Sequence, residues 1–167
     1  MATAIDHGRR AFLTGRPGRV PVRPPWTGDA TLLEACTGCA ACVEACPSGI
    51  LRIGAGGLPE VDFSQAGCSF CGACASACEP HLFAAVTTQP FAHVVAISED
   101  CLARQGIHCQ SCSEECEAAA IRFAPRLGGP PVPLLDADLC TGCGDCIATC
   151  PVGAIAVSAR SRERADA

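Results

Sequence analysis

The chain has 167 residues, of which 16 are cysteine, and its large apolar residues are few: six Phe, one Trp, one Met and no Tyr. Much of the 49% hydrophobic fraction is Ala and Cys, so apolar burial at about 25 cal/mol per Å² stabilises such a core weakly, and a group bound to the cysteines has to supply the missing cohesion. No run approaches the ~18 apolar residues of a membrane span. Residues 27–159 carry four arginines against 14 acids, a net −10 that argues against nucleic acid as partner of the body.

The start of the chain is basic, with Arg9, Arg10, Arg16, Arg19 and Arg23 against the single acid Asp6. "GRRAFLTGRPGR" at 8–19 opens like a twin-arginine export address, Arg9 and Arg10 being followed by Phe12 and Leu13. An export signal then needs an apolar stretch of about 7–15 residues and a small-residue cleavage site. The chain continues instead as "TGRPGRVPVRPPWTGD", which cannot form an apolar helix. Residues 1–28 are therefore expected to be a flexible basic N-terminal arm, either solvated or bound to a partner through Arg9, Arg10, Phe12 and Leu13. The protein is expected to stay in the cytoplasm, where cysteine patterns more often mean metal than disulfides.

The body is a repeat. Residues 36–47 read "CTGCAACVEACP", 68–80 "CSFCGACASACEP" and 140–151 "CTGCGDCIATCP", all with C-x2-C-x2-C-x3-C spacing. A third motif in chain order, "CLARQGIHCQSCSEEC" at 101–116, keeps the last two intervals but has seven residues between its first two cysteines. Three cysteines at such spacing can wrap three corners of an iron–sulfur cubane, and the fourth serves the other cluster of a pair. Gly38, Ala40, Gly72, Ala73, Gly142 and Gly144 let the backbone curl round the cluster. Structural zinc sites favour two C-x2-C pairs set farther apart.

Order in the chain then predicts four [4Fe–4S] clusters with crossed ligation. Cys36, Cys39, Cys42 and Cys78 would hold site 1, and Cys68, Cys71, Cys74 and Cys46 site 2. Cys101, Cys109, Cys112 and Cys150 would hold site 3, and Cys140, Cys143, Cys146 and Cys116 site 4. The insertion leaves the Cys101 site open to being displaced, labile or three-iron. "GILRIGAGGLPEVDF" and "AIRFAPRLGGPPVPLLD" read as hairpins inside the two halves, and "LFAAVTTQPFAHVVAISED" as strand, turn, strand between them. His81, His93 and His108 are not needed as ligands, and Glu114, Glu115 and Glu117 read as a solvated acidic face. The expected fold is α+β: two ferredoxin-like dicluster units, 29–90 and 91–159, of short β-hairpins and short helices, with a polar tail at 160–167. No catalytic residues are expected, since no nucleotide loop, flavin fingerprint or nucleophile–base pair is present.

The motifs "RRAFLTGR", "RPPWTGD", "GAGGLPEV", "CSFCGACASAC" and "CLARQGIHCQSCSEEC" resemble the NapF family of ferredoxin-type proteins, which belongs to the periplasmic nitrate reductase system. The resemblance extends over nearly the whole length and includes the seven-residue gap. It implies a cytoplasmic accessory protein, not an enzyme, that binds the catalytic subunit of periplasmic nitrate reductase. It would assist that subunit's maturation, by cluster assembly or reductive activation, before twin-arginine export. The alternative is a polyferredoxin electron carrier or redox subunit feeding an anaerobic respiratory chain. The acidic body should favour low reduction potentials, because adding an electron to a negative region is costly.

Overall fold

Cysteines at intervals of two and three residues leave little room for long elements. The computed structural model, which describes residues 21–54 and 56–160, consists of short pieces: α1 (Asp29–Ala35), α2 (Ala41–Glu44), β1 (Leu51–Ile53), β2 (Pro59–Val61), α3 (Ala73–Ser76), β3 (His93–Ile97), α4 (Ser111–Glu114), β4 (Ile121–Arg126), β5 (Gly129–Leu135), α5 (Asp145–Ala148) and β6 (Ile155–Ala159). Each cysteine motif contributes one helical turn, α2 to α5. In three of the four, the residue before the turn is left-handed: Ala40 (φ 64°), Gly72 (φ 75°) and Gly144 (φ 89°). That single residue swings the chain from the loop with the first two cysteines into the helix with the third. Before α4 the same place is held by Gln110 at φ −138°, so the motif with the insertion enters its helix differently.

A second left-handed residue follows each motif, three positions after the fourth cysteine: Gly49, His81, Ala119 and Gly153. Its amide donates back to that cysteine's carbonyl in all four, at 3.1, 3.1, 2.8 and 3.2 Å. The repeat is thus written in the backbone even where the side chain is not glycine.

Both expected hairpins form. β1 pairs antiparallel with β2 (Leu51↔Val61), and β4 with β5 (Ile121↔Leu135) through an irregularity between Ala124 and Arg126. The connection between the halves differs from expectation, because 82–100 contains one strand, β3, and its partner is the distant β6, from His93↔Ala159 to Ile97↔Ile155. Residues 82–90 are occupied otherwise. Ala84 N donates to Trp26 O (2.8 Å), Trp26 N to Pro90 O (2.7 Å) and Trp26 Nε1 to Thr88 O (3.0 Å).

The expected arm accordingly ends earlier than residue 28. Residues 21–28 are part of the body: Pro24 and Pro25 are fully buried and Trp26 is 6% exposed, while Val61 N donates to Val22 O. Arg23 reaches Asp29 at 2.5 Å and Pro59 O at 3.2 Å. Proline fixes φ beforehand, so a Pro-rich strip loses little entropy on packing. Arg160, expected to begin the polar tail, is likewise held, donating to Ala137 O (2.5 Å) and Cys140 O (2.7 Å). Arg9, Arg10, Phe12 and Leu13 lie outside the described residues.

Two apolar clusters form the core. One gathers Ile50, Leu51, Val61, Phe63, Cys74 and Phe91; the other gathers Val94, Val95, Cys112, Ala120, Ile121, Cys140, Cys146 and Ile155. Ile147 and Val157 of the second half pack on the first cluster, so the halves share a face. There Phe63 meets Phe91 and His93 edge-on at 6.0 Å each, and His93 Nε2 donates to Gly142 O at 3.0 Å. Burial is the main reason that the His93 pKa falls below its usual value, which leaves the ring neutral near pH 7. A Cβ at Gly144 would fall inside the Phe63 ring, at a backbone conformation that side chains already disfavour. Gly144→Ala should therefore cost roughly 2–4 kcal/mol and lower the melting temperature of the cluster-loaded protein by roughly 5–15 °C. Visible-absorbance and far-ultraviolet dichroism melts check this; an unchanged midpoint contradicts the close docking.

Candidate iron–sulfur sites

Three of the four expected cysteine sets line pockets together. Cys36, Cys39, Cys42 and Cys78 line one pocket of about 410 Å³ with Leu32, Ile53 and Phe83. Cys46, Cys68, Cys71 and Cys74 line a second, of about 340 Å³, with Trp26, Ile50 and Phe70. Cys116, Cys140, Cys143 and Cys146 line a third, of about 320 Å³, with Val95, Ala120 and Ile121. Within each half the helices face each other, α2 against α3 and α4 against α5, which is what carries each fourth cysteine across to the other motif.

Neighbouring thiols raise one another's pKa values, mostly within the expected sets but also between them, Cys42 acting on Cys74 and Cys143 on Cys68. After burial, which raises its pKa most, Cys42 feels Cys36, Cys39 and Cys78. Cys146, pushed up to about 12 chiefly by burial, feels Cys143, Cys140, Cys116 and, least, Cys112. Cys112, pushed up to about 11 by burial, feels Cys101, Cys109 and Cys150. The inserted residues explain how Cys101 returns to its set. Gln105 N donates to Cys101 O (3.0 Å) and Ile107 N to Leu102 O (2.8 Å), closing a compact loop around the fully buried Ala103. Arg126 pins that loop through Ala103 O at 3.2 Å.

The donor set fits cubane clusters. All sixteen cysteines are free thiols, and amides are aimed at sulfur: Ala120 N donates to Cys116 Sγ and Ala154 N to Cys150 Sγ, both at 3.3 Å. The Cys39 pKa is lowered first by the Ala41 amide and then by the Thr37 side chain. Burial raises that of Cys143, against the Asp145 amide and the Thr141 side chain. Such donors favour negative charge on sulfur, and clusters carry such charge permanently. Among the described residues, no group of three or more His, Cys, Asp and Glu converges as a single metal ion would require; the four-cysteine sets are arranged round pockets instead.

Three residues of these sites escaped the sequence reading. Thr37 and Thr141 occupy the same place in two "CTGC" loops, a signal that was available. Trp26 was placed in the arm, yet it closes the site 2 pocket with Phe70, ring centroids 6.2 Å apart. Phe70 stands at φ 53°, where the corresponding residues of the first and last motifs are Gly38 and Gly142. His93 contacts a backbone carbonyl rather than a cysteine.

Comparison with known proteins agrees with this geometry. The 4Fe-4S dicluster domain family matches residues 35–82 and 106–154. The ferredoxin-type protein NapF of Escherichia coli K12 is 47% identical over 154 residues, covering 90% of this chain and 94% of that protein. The chain belongs to the NapF family of ferredoxin-type proteins. The Haemophilus influenzae NapF is 41% identical over 83% of this chain and 80% of its own length. Similarity at 28% extends to the E. coli ferredoxin-type protein NapG over 82% of this chain and 69% of that one. Two dicluster regions and sixteen cysteines provide for four [4Fe–4S] clusters. The family is one of electron-transferring iron–sulfur proteins rather than of catalytic enzymes, and no described helix is long and apolar enough to cross a membrane.

Two outcomes follow from the sites. Removing iron should leave the chain largely disordered, as in small domains whose folding is coupled to metal; native-like far-ultraviolet dichroism after complete chelation contradicts this. Thr37→Val removes the hydroxyl that helps to lower the Cys39 pKa and should lower the reduction potential of one cluster, leaving the other three unmoved. A redox titration followed by electron paramagnetic resonance reads the shift directly.

Proposed function

We propose that this NapF-family protein acts in the cytoplasm on the precursor of the catalytic subunit of periplasmic nitrate reductase, assisting its maturation before twin-arginine export. Site 1 would be held by Cys36, Cys39, Cys42 and Cys78, site 2 by Cys46, Cys68, Cys71 and Cys74, site 3 by Cys101, Cys109, Cys112 and Cys150, and site 4 by Cys116, Cys140, Cys143 and Cys146. The observation that carries the reading is the 47% identity to E. coli NapF over 90% of the chain, which takes in the seven-residue gap as well as the regular motifs.

The clusters, when bound, supply one-electron reduction and oxidation. The chain's own residues do the rest. Trp26, Phe70 and Phe83 give the pockets of sites 1 and 2 an apolar lining, while amides and the Thr37 and Thr141 side chains offset thiolate charge. Arg9, Arg10, Phe12 and Leu13 form the segment that meets the client, since they imitate an export address without the apolar stretch that would make it one. A second reading, an electron carrier in a respiratory chain, is favoured by similarity to one component of an ion-translocating oxidoreductase complex from Methanosarcina acetivorans. That protein is 35% identical over 72% of this chain, although the match spans 46% of its own length.

The experiment is nitrate reductase activity in cells lacking this protein, assayed with an artificial reductant that feeds the catalytic subunit directly. Maturation predicts that this activity collapses, and that Arg9→Ala with Arg10→Ala reproduces the loss and abolishes co-purification with the precursor. Normal artificial activity with impaired reduction from physiological donors supports the carrier instead.

A further inference from the structure

The two halves touch at their cysteine loops. Cys68 N donates to Cys143 O at 2.8 Å, a direct backbone bond between a residue of site 2 and a residue of site 4. The approach is close on both flanks. A Cβ on Gly67 would lie 2.7 Å from the Asp145 amide nitrogen, and one on Gly144 would enter the Phe63 ring. Substituents are excluded at both glycines, so the loops meet backbone to backbone with the Phe63–Phe91–His93 stack alongside.

We infer that this contact is an electronic junction joining four clusters into a single row, in the order site 1, site 2, site 4, site 3, rather than two independent pairs. The two outer steps follow from the crossed motifs within each half. α2 bears Cys42 of site 1 and runs on to Cys46 of site 2, facing α3, which bears Cys74 and runs on to Cys78. α4 and α5 repeat that arrangement for sites 3 and 4. Electron transfer across the junction is balanced without chemistry at the protein. One electron lost at site 2 is gained at site 4, no bond forms or breaks, and the electron enters from a low-potential one-electron donor. The inference rests on the cysteine assignment above and is independent of the client's identity.

The test is electron paramagnetic resonance of the intact, dithionite-reduced protein. Cys36→Ala with Cys39→Ala removes site 1. With the junction in place, site 2 keeps a paramagnetic neighbour in site 4, so only broadened, spin-coupled signals are expected. A narrow, uncoupled signal from site 2 overturns the inference. Cys71→Ala with Cys74→Ala removes site 2 and should strand site 1, which then gives that narrow signal; its absence overturns the order of the row. Iron and sulfide analysis reports the ligand assignment separately, since each double variant should lose one cluster's worth. Where a variant loses more, Gly67→Val takes its place. It keeps all sixteen cysteines but forces the loops apart, and it should weaken coupling between the halves; a spectrum identical to the parent's overturns the junction.

Discussion

Both apolar clusters of this protein are organised around sulfur. Cys74 sits among Ile50, Leu51, Val61 and Phe63, and Cys112, Cys140 and Cys146 sit among Val94, Val95, Ile121 and Ile155. As free thiols these groups are poor anchors, and burial holds Cys74 and Cys112 at about 11 and Cys146 at about 12. Ligation reverses this, because a thiolate bound to iron shares its charge with the cluster and cross-links two helical turns that would otherwise be too short to persist. The core is therefore small because cluster binding supplies much of the energy that folding needs.

The same constraint shapes the backbone. A loop that presents sulfurs to one point from several directions must reverse sharply, and left-handed residues are the cheapest way to do it. Phe70, His81 and Ala119 adopt that conformation without being glycine. Such residues cost about 1–2 kcal/mol each and persist where the surroundings over-determine them. Phe70 repays the cost visibly, since its ring closes the site 2 pocket against Trp26.

Spacing made the motifs, the two dicluster regions and both hairpins legible, because cysteine intervals and alternation flanking a Gly-rich turn are local signals. What escaped was long-range. β3 looks able to pair with its own neighbours, and only the folded chain shows that Trp26 occupies 82–90 and that β6 is the partner. "RPPWTGD" reads as an arm because proline and arginine are usually exposed; Pro24 and Pro25 are buried beside Trp26, whose backbone partners Ala84 and Pro90 lie about 60 positions away. Arg160 misleads similarly, its carbonyl partners being supplied by Ala137 and Cys140. The seven-residue gap was the hardest to read, since nothing in "LARQGIH" announces a loop closed on Ala103 and pinned by Arg126.

Two dicluster units joined by a linker could have behaved as beads, each with its own fold and its own redox pair. The shared face argues against that arrangement. Ile147 and Val157 complete the first unit's core rather than the second's alone, and His93, on the strand that begins the second ladder, stacks on Phe91 at 4.7 Å while donating to the loop of the last motif. Burial keeps that ring neutral, so it packs as an aromatic group and spends its one N–H on Gly142 O. A flexible tether would need neither a neutral histidine nor two glycines without room for a methyl group. These features make sense if the relative position of the two units matters, as it does wherever electrons pass between sites held at fixed distances.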